Sequence, residues 1–419
     1  MAKIKVGVFG AYRGMTMISV LADHPDAELV AVCDKYQPAL DKVTELAKEH
    51  GISVAVYPDF EDFFRHDMDA VVLANYANEH APFAVRLLDS GRHVMSEVLP
   101  CENMAQAVAL IEAVERSGKV YTYAENYCYM WHTFEMWRRY KAGDIGEITY
   151  AEGEYIHDCG AIWPGITYGE REHWRNNMHP NFYCTHSIGP MLAIAGLRPV
   201  QVVGLNTAPI EYEFSLGNNC GGATGLELIT LENGAVLKSI HGHLKREPGS
   251  VNYEVYGRKG CMESDRLGEE PKLNVYREGD KLCEGEWERY VPEKFVSADL
   301  ASHFATHGGS DFYSTHFFLQ KILGRPEGDE WAIDVYRAVD MGICGILAYR
   351  SVLNGNVPMK VPDLRDPAQR DQYRHDTACT NPKTAGDQLL PSLPGGNREI
   401  PDACYDKVRA LWQAGKNAE

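Results

Sequence analysis

The 419-residue chain lacks any run of 18 or more apolar residues, which argues against a membrane-spanning helix. It does not open with a charged segment, an apolar stretch and a small-residue cleavage site, so we expect a cytoplasmic protein. Its eleven cysteines form no Cys-x-x-Cys pair, which favours reduced thiols over disulfides or structural zinc. Positive charge is also scarce. The net charge of −18 makes nucleic acid a poor partner.

The first 125 residues alternate between strand-like and helix-like segments. Short apolar runs lie at 3–9, 28–33, 70–73, 93–96 and 120–124, and segments with helical spacing separate them. Nearly continuous apolar strands between amphipathic helices are typical of a parallel sheet covered on both faces. The sequence therefore predicts an α/β, doubly wound N-terminal domain.

After about residue 127 the pattern changes. Segments with period-two alternation flank Glu232-Asn233-Gly234, which is a strong signal for a β-hairpin. More strand-like runs follow, and helical spacing returns near Ser310 and over 332–353. These features predict a second, α+β domain with an open, mainly antiparallel sheet.

A glycine-rich turn lies between the first strand and the first helix, with the sequence Gly7-Val8-Phe9-Gly10-Ala11-Tyr12-Arg13-Gly14. Such a turn at a helix N-terminus offers backbone N–H groups to a pyrophosphate. Asp34, 20 residues beyond Gly14, ends the second strand, where a carboxylate binds a ribose 2′-hydroxyl and repels a 2′-phosphate. We therefore expect a Rossmann domain that binds NAD rather than NADP, although Tyr12 replaces the middle glycine. A tight turn that binds nothing is the alternative.

The chain resembles the Gfo/Idh/MocA oxidoreductases over most of residues 1–363. The resemblance rests on the glycine-rich turn and on the segments Ala74-Asn75-Tyr76-Ala77-Asn78-Glu79-His80-Ala81-Pro82 and Gly91-Arg92-His93-Val94-Met95-Ser96-Glu97. It implies that Asn75, Asn78 and His80 border the cofactor and that Glu97 lies near the nicotinamide ribose. It also implies a homo-oligomer, either a dimer or a tetramer. We expect an NAD-binding Rossmann domain (1–127), a substrate and oligomerisation domain (128–363) and an irregular tail (364–419).

One departure from this family concerns its chemistry. The family usually continues Glu-Lys-Pro, and the lysine polarises the hydroxyl that is oxidised. This chain instead has Glu97-Val98-Leu99-Pro100. Without that lysine, the resemblance does not carry over an ordinary sugar dehydrogenase mechanism.

Four further segments are similar to motifs of glycoside hydrolase family 109. They are Ala124-Glu125-Asn126-Tyr127-Cys128-Tyr129, Gly153-Glu154-Tyr155-Ile156-His157-Asp158, Tyr183-Cys184-Thr185-His186-Ser187-Ile188-Gly189-Pro190 and His307-Gly308-Gly309-Ser310-Asp311-Phe312. The resemblance implies an enzyme that keeps NAD bound and cleaves glycosidic bonds by transient oxidation. The chain departs from that group at Cys184 and Ser310, where proline and methionine are commoner.

The spacing of these residues also favours a shared site. Tyr155 and His157 are two residues apart on an expected strand, so both side chains point to one face. Tyr183 and His186 are three apart just before an expected helix. His307 precedes a Gly-Gly pair, where a backbone can approach a ligand closely.

A redox cleavage of a sugar assigns a role to each group. His186 accepts the C3 hydroxyl proton, because an imidazole titrates near neutral pH. Tyr183, as a phenolate, removes the proton from C2, and Tyr155 or His157 assists the leaving group or positions the sugar. Glu125 contacts the nicotinamide or the sugar, and NAD is recycled.

Other interpretations remain open. His186 and the tyrosines are alternatively structural, and the histidines match no compact metal-ligand spacing, so we expect no metal. His241 and His243 line the sheet face or face solvent. Trp163, Trp174 and Arg175 cap the site or simply pack. The alternative functions are a sugar, cyclitol or glycoside 3-dehydrogenase with net hydride transfer, and a catalytically idle NAD-binding protein.

Overall fold

The computed structural model describes residues 3–267, 270–281, 284–293 and 309–416. The chain divides into two compact units, one of residues 1–134 and 292–339 and the other of residues 135–291 and 340–419. This division differs from the continuous boundaries expected from sequence, because a late segment of the chain returns to the N-terminal unit. Within the described residues, no helix has the length and apolarity to cross a membrane.

The first unit contains a parallel sheet with strand order β3-β2-β1-β4-β5-β6. Its strands are β1 Ile4–Phe9, β2 Ala27–Cys33, β3 Ala55–Tyr57, β4 Ala70–Leu73, β5 His93–Ser96 and β6 Tyr121–Tyr123. Its helices are α1 Ala11–Asp23, α2 Gln37–Glu49, α3 Phe60–Phe64, α4 His80–Asp89 and α5 Met104–Ser117, and α6 (Trp131–Lys141) begins in this unit. The expected doubly wound domain is confirmed; sequence reasoning missed the short strand β3 and helix α3.

Local signals define α5 at both ends. The Asn103 side chain accepts a hydrogen bond from the Gln106 N–H at 2.9 Å, and the helix ends at Gly118 in a left-handed conformation. Between them, apolar residues with helical spacing are buried, as they are in α1 and α2.

Two helices from late in the chain also belong to the first unit, namely α11 (Ser310–Ile322) and α12 (Pro326–Trp331). Phe318 and Leu319 of α11 join the buried core formed by β1, β2 and α1. The sequence correctly predicted that a helix starts near Ser310. Its place in this unit depends on contacts that no local pattern encodes.

The second unit is built on a mixed, mainly antiparallel sheet with order β14-β13-β12-β11-β7-β10-β9-β8-β15. Its strands are β7 Ile148–Ile156, β8 Pro199–Asn206, β9 Thr224–Leu231, β10 Val236–Gly242, β11 Ser250–Gly257, β12 Gly260–Ser264, β13 Leu273–Glu278, β14 Gly285–Tyr290 and β15 Met359–Lys360. The predicted hairpin joins β9 to β10, and β10 then pairs in parallel with β7.

Helices of the second unit cover part of this sheet and extend into the tail. They are α7 Trp163–Thr167, α8 Trp174–Asn177, α9 Thr185–Ala195, α10 Glu211–Phe214, α14 Pro367–Arg370, α15 Pro382–Ala385 and α16 Asp402–Lys416, and α13 (Val335–Leu353) ends in this unit. Between these helices the tail is irregular. It packs nonetheless, because Leu393, Ile400 and Tyr405 form a buried cluster with Phe214.

Helix α9 lies directly against strand β7. Every residue of α9 is buried, and a Cβ atom added at Gly153 would lie 1.8 Å from the Ser187 carbonyl oxygen. Only a residue without a side chain permits this contact between two backbones. Because β7 carries Tyr155 and α9 carries His186, Gly153 determines how closely these two residues approach.

We predict that Gly153→Ala forces α9 away from the sheet and lowers the free energy of unfolding by roughly 1–3 kcal/mol, the usual cost of overpacking. The measurement is thermal unfolding followed by near-UV circular dichroism. Gly165→Ala is the matched control, because a Cβ at Gly165, within α7, has no neighbour within 4 Å. Equal stability of the Gly153→Ala variant and the wild type would contradict the prediction.

Candidate functional site

The glycine-rich turn is built for a close approach of two backbones. Gly10 has φ of 101°, and a Cβ added there would lie 2.3 Å from the Ala74 carbonyl carbon. Gly14 allows α1 to pack on β1, since its Cβ would lie 2.9 Å from Cγ1 of Val8. The loops after β1 and β4 therefore meet at the switch point of the sheet, where doubly wound domains bind nucleotides.

Asp34 binds the start of α1. Its Oδ2 accepts hydrogen bonds from the N–H groups of Ala11 at 2.7 Å and Tyr12 at 3.3 Å, and its Oδ1 accepts one from Tyr36 at 2.8 Å. A carboxylate at a helix N-terminus is favoured by the helix dipole. The Tyr12 side chain is 64% exposed, so the tyrosine that replaces the middle glycine leaves the turn uncrowded.

Arg13 holds two buried carboxylates. Its guanidinium lies 2.5 Å from Glu97 Oε1 and 3.0 Å from Asp311 Oδ1, and the Thr16 hydroxyl donates to Asp311 at 2.7 Å. Glu97 follows β5, and Asp311 lies in the first turn of α11. Sequence reasoning identified Arg13 and Glu97 but missed Asp311 as their partner. Nearly 300 residues separate it from Arg13.

The remaining predicted cofactor residues follow β4 and β6. His80 is buried between the carbonyl oxygens of Asn75 and Leu99, each 3.2 Å from a ring nitrogen, and burial lowers the pKa of His80 to about 4. A neutral imidazole has one N–H, so His80 donates to one of these oxygens at a time. Glu125 is fully buried after β6.

These residues fit a dinucleotide. Among the described residues, the amide oxygens of Asn75 and Asn78 are buried and have no hydrogen-bond partner. Such atoms need a ligand or water to satisfy them. Together with the Gly10 turn, they form a polar lining at the nucleotide-binding end of the sheet.

In the second unit, the predicted catalytic residues converge. The Tyr155 hydroxyl lies 3.2 Å from Nδ1 of His157, and the ring centroids of Tyr155 and His186 are 4.9 Å apart. The Tyr183 ring meets that of His186 edge-on at 5.1 Å. His157 lies one residue beyond β7, Tyr183 ends a 3-10 turn, and His186 lies in the first turn of α9. This helix starts at Thr185, slightly earlier than expected.

His241 is the residue that sequence reasoning undervalued. It lies on β10, stacks on Tyr155 at 4.9 Å with an interplanar angle of 9°, and lies 5.5 Å from Tyr183. Both ring nitrogens are buried and lack a hydrogen-bond partner within the described chain. Period-two spacing in the segment His241-Gly242-His243 indicated a shared face, but nothing local showed that Tyr155 and Tyr183 lie on that face.

Burial controls the protonation of this cluster. It lowers the pKa of His241 well below the ordinary value, and His186 and His243 reinforce the effect. Burial also lowers the pKa of His157, with further contributions from His243 and Arg175. Both imidazoles are therefore favoured in the neutral form, which offers one donor and one acceptor.

The loop residues singled out from sequence border the same cluster. The Arg175 guanidinium lies 4.3 Å from the Trp174 ring centroid and 5.4 Å from that of Tyr183. Trp163 packs edge-on against His243 at 5.6 Å, and its indole N–H is buried without a partner in the described structure. These aromatic and cationic groups extend the cluster of the second unit beyond the predicted catalytic residues.

Two other expectations concern His307 and metal ions. His307 lies outside the described residues. Among those described, no group of three or more His, Cys, Asp or Glu side chains is arranged to hold a metal ion.

Two family models match the chain. Residues 4–125 match the oxidoreductase family with an NAD-binding Rossmann fold, and residues 213–369 match the C-terminal domain of glycosyl hydrolase 109. A glycosyl hydrolase family 109 protein of Porphyromonas gingivalis is 24% identical over 86% of this chain and 84% of its own length. Glycosyl hydrolase family 109 protein 4 of Phocaeicola vulgatus is 27% identical over 87% of this chain and 78% of its own length.

Solved structures share the fold. Levoglucosan dehydrogenase in complex with NADH and L-sorbose matches with a TM-score of 0.66 and 15% identity, over 87% of this chain and all of the other. Myo-inositol 2-dehydrogenase from Lactobacillus plantarum matches with a TM-score of 0.65 and 17% identity, over 86% of this chain and all of the other. The chain therefore carries an NAD-binding Rossmann domain of the Gfo/Idh/MocA oxidoreductase type and a glycosyl hydrolase 109 C-terminal domain, and these similarities support an NAD-dependent oxidoreductase.

Proposed function

We propose that the protein cleaves a glycosidic bond by transiently oxidising the sugar at C3. The observation that carries this proposal is the convergence of Tyr155, His157, Tyr183, His186 and His241 in the second unit. A hydride transfer needs one proton acceptor, whereas a redox cleavage needs several proton transfers. A cluster of two phenols and three imidazoles has the required number of groups.

The Gly10 turn, Asp34 and the amide oxygens of Asn75 and Asn78 would hold NAD, which would supply the acceptor and later donor of the C3 hydride. The usual family lysine would have provided an ammonium group after Glu97. Here Val98 and Leu99 are buried apolar residues. The protons must therefore be moved by other side chains.

His186 accepts the proton of the C3 hydroxyl as C3 becomes a ketone. The ketone acidifies C2–H, and the Tyr183 phenolate removes that proton. The Arg175 guanidinium near the Tyr183 ring stabilises negative charge there. The electron pair from C2–H forms the C1–C2 double bond, and the bond from C1 to the leaving oxygen breaks.

His157 and Tyr155, joined by a hydrogen bond, protonate the departing oxygen. Water then adds to C1 and C2 regains a proton. The C3 ketone becomes an alcohol again when His186 returns its proton to the oxygen, and the cofactor would return the hydride to C3. The sum is hydrolysis, with no net oxidation. A 3-dehydrogenase would perform the same first step but release the ketone.

The test is to incubate the protein, with its bound dinucleotide, with aryl glycosides and free sugars in deuterated water. We expect aglycone release, deuterium at C2 of the sugar and no stoichiometric accumulation of reduced NAD. Stoichiometric reduced NAD with an intact glycosidic bond would instead identify a dehydrogenase. Bound dinucleotide without turnover of any sugar or glycoside would leave a catalytically idle NAD-binding protein.

Substitutions should distinguish the role of His186, which accepts the C3 hydroxyl proton, from that of Tyr183, which accepts the C2 proton. We predict that Tyr183→Phe still oxidises the sugar and accumulates reduced NAD but loses C2 exchange, whereas His186→Ala loses both. Cleavage should fall roughly 10²–10⁴-fold in each, as for loss of a general base. Tyr150→Phe is the control, because Tyr150 lies on the same strand as Tyr155 and its hydroxyl bonds Glu152. Retained C2 exchange in Tyr183→Phe would exclude the assigned role.

His241 offers the sugar a neutral donor and acceptor. We predict that His241→Phe, which keeps an aromatic ring against Tyr155, raises KM about tenfold because two hydrogen bonds are lost. The bound NAD content should not change. Steady-state kinetics with the best aryl glycoside measure the effect, and an unchanged KM would argue against contact with substrate.

A further inference from the structure

A buried carboxyl lies behind the residues of this cluster. Glu227, on β9, is fully buried. Its Oε1 lies 2.5 Å from Nδ2 of Asn181, and its Oε2 lies 2.5 Å from the Ser239 hydroxyl. Both partners are neutral, which is an unusual environment for a buried carboxyl, since charged groups are ordinarily buried with an opposite charge.

Each hydrogen bond leads to a segment that carries a site residue. Asn181 precedes Tyr183 by two residues in the same 3-10 turn, and Ser239 precedes His241 by two on the same face of β10. The Ser239 hydroxyl also lies 2.7 Å from that of Ser187, the neighbour of His186. Ser187 in turn lies 2.8 Å from the Cys184 carbonyl oxygen.

We propose that Glu227 is a positioning residue which, as a neutral carboxylic acid, holds in register the three segments bearing Tyr183, His186 and His241. Its importance for catalysis rests on the function proposed above. The linkage itself does not.

Counting protons shows why the neutral form is needed. The network has four contacts: Asn181 to Glu227, Glu227 to Ser239, Ser239 to Ser187, and Ser187 to the Cys184 carbonyl. The Asn181 amide and the two serine hydroxyls provide three protons. A proton on Glu227 is the fourth. Glu227 then donates to Ser239, Ser239 donates to Ser187, and Ser187 donates to the Cys184 carbonyl oxygen. An ionised Glu227 leaves one contact between two oxygens without a proton.

The surroundings agree with this assignment. Burial raises the pKa of Glu227 to about 7, although its hydrogen bonds with Ser239 and Asn181 oppose the shift. Cys344, on helix α13, is a titratable group that interacts with Glu227. Its thiol is neutral, because burial raises its pKa well above the ordinary value. Beyond it, Asp340 pairs with Arg365 at 2.9 Å. On the site side, His241 is neutral and His186 lies one residue beyond the network.

Hydrogen exchange of the amides of residues 184–188, corrected for intrinsic rates, tests the proposal without a substrate. In the wild type, we expect protection to fall about fivefold from pH 5.5 to pH 8.5, equivalent to losing one ordinary hydrogen bond. The midpoint should lie near the pKa of Glu227. Glu227→Gln should stay protected throughout, because its amide donates permanently to Ser239 and its oxygen accepts from Asn181.

Two further variants complete the design. Glu227→Leu should lose protection at every pH. Asp340→Asn, which removes another buried carboxyl whose pKa is raised to about 6, should behave as the wild type. A wild-type pH dependence in Glu227→Gln, or full protection in Glu227→Leu, would overturn the proposal. If Glu227→Leu does not fold, the comparison of Glu227→Gln with the wild type still decides. If exchange behaves as expected but no glycoside is turned over, the proposed function fails while the positioning role stands.

Discussion

The contact of helix Thr185–Ala195 with the sheet at Gly153 is the constraint on which the rest of the second unit depends. Backbone meets backbone there, so the separation of helix and strand is set by van der Waals contact between backbone atoms rather than by adjustable side chains. His186 lies in the first turn of the helix, and Tyr155 lies two residues beyond Gly153. Their ring contact therefore follows from that separation. The neighbouring strand β10 then brings His241 against the same tyrosine.

Sequence reasoning predicted the architecture well because the signals are local. Strand and helix periodicity identified the doubly wound sheet, and an Asn-Gly turn identified the hairpin between β9 and β10. Tyr155 and His157, and likewise Tyr183 and His186, were expected to lie together because each pair is close in sequence, and they are in contact. His241 and Asp311 were missed for the opposite reason. Their partners are distant in the chain, and strand alternation shows only which residues share a face, never what packs on it.

In the nucleotide domain, the unusual Tyr12 is explained by where the backbones meet. The close contact is at Gly10 with the loop after β4, whereas the Tyr12 side chain points outward. The charged side chains there are also paired. Asp34 accepts hydrogen bonds from the first two N–H groups of α1, and Arg13 pairs with both Glu97 and Asp311, which lies 298 residues later. Loss of the central glycine thus leaves the geometry of the turn intact.

Replacing the family lysine with a buried valine changes which proton chemistry is available. An ammonium group polarises a hydroxyl but, near neutral pH, is a poor proton acceptor, whereas a neutral imidazole accepts a proton without a prior ionisation. Burial keeps His157 and His241 neutral, and the buried acid Glu227 lies behind the segments that carry His186 and Tyr183. Such a set suits several successive proton transfers better than a single hydride step. This is the physical reason to favour cleavage over simple oxidation.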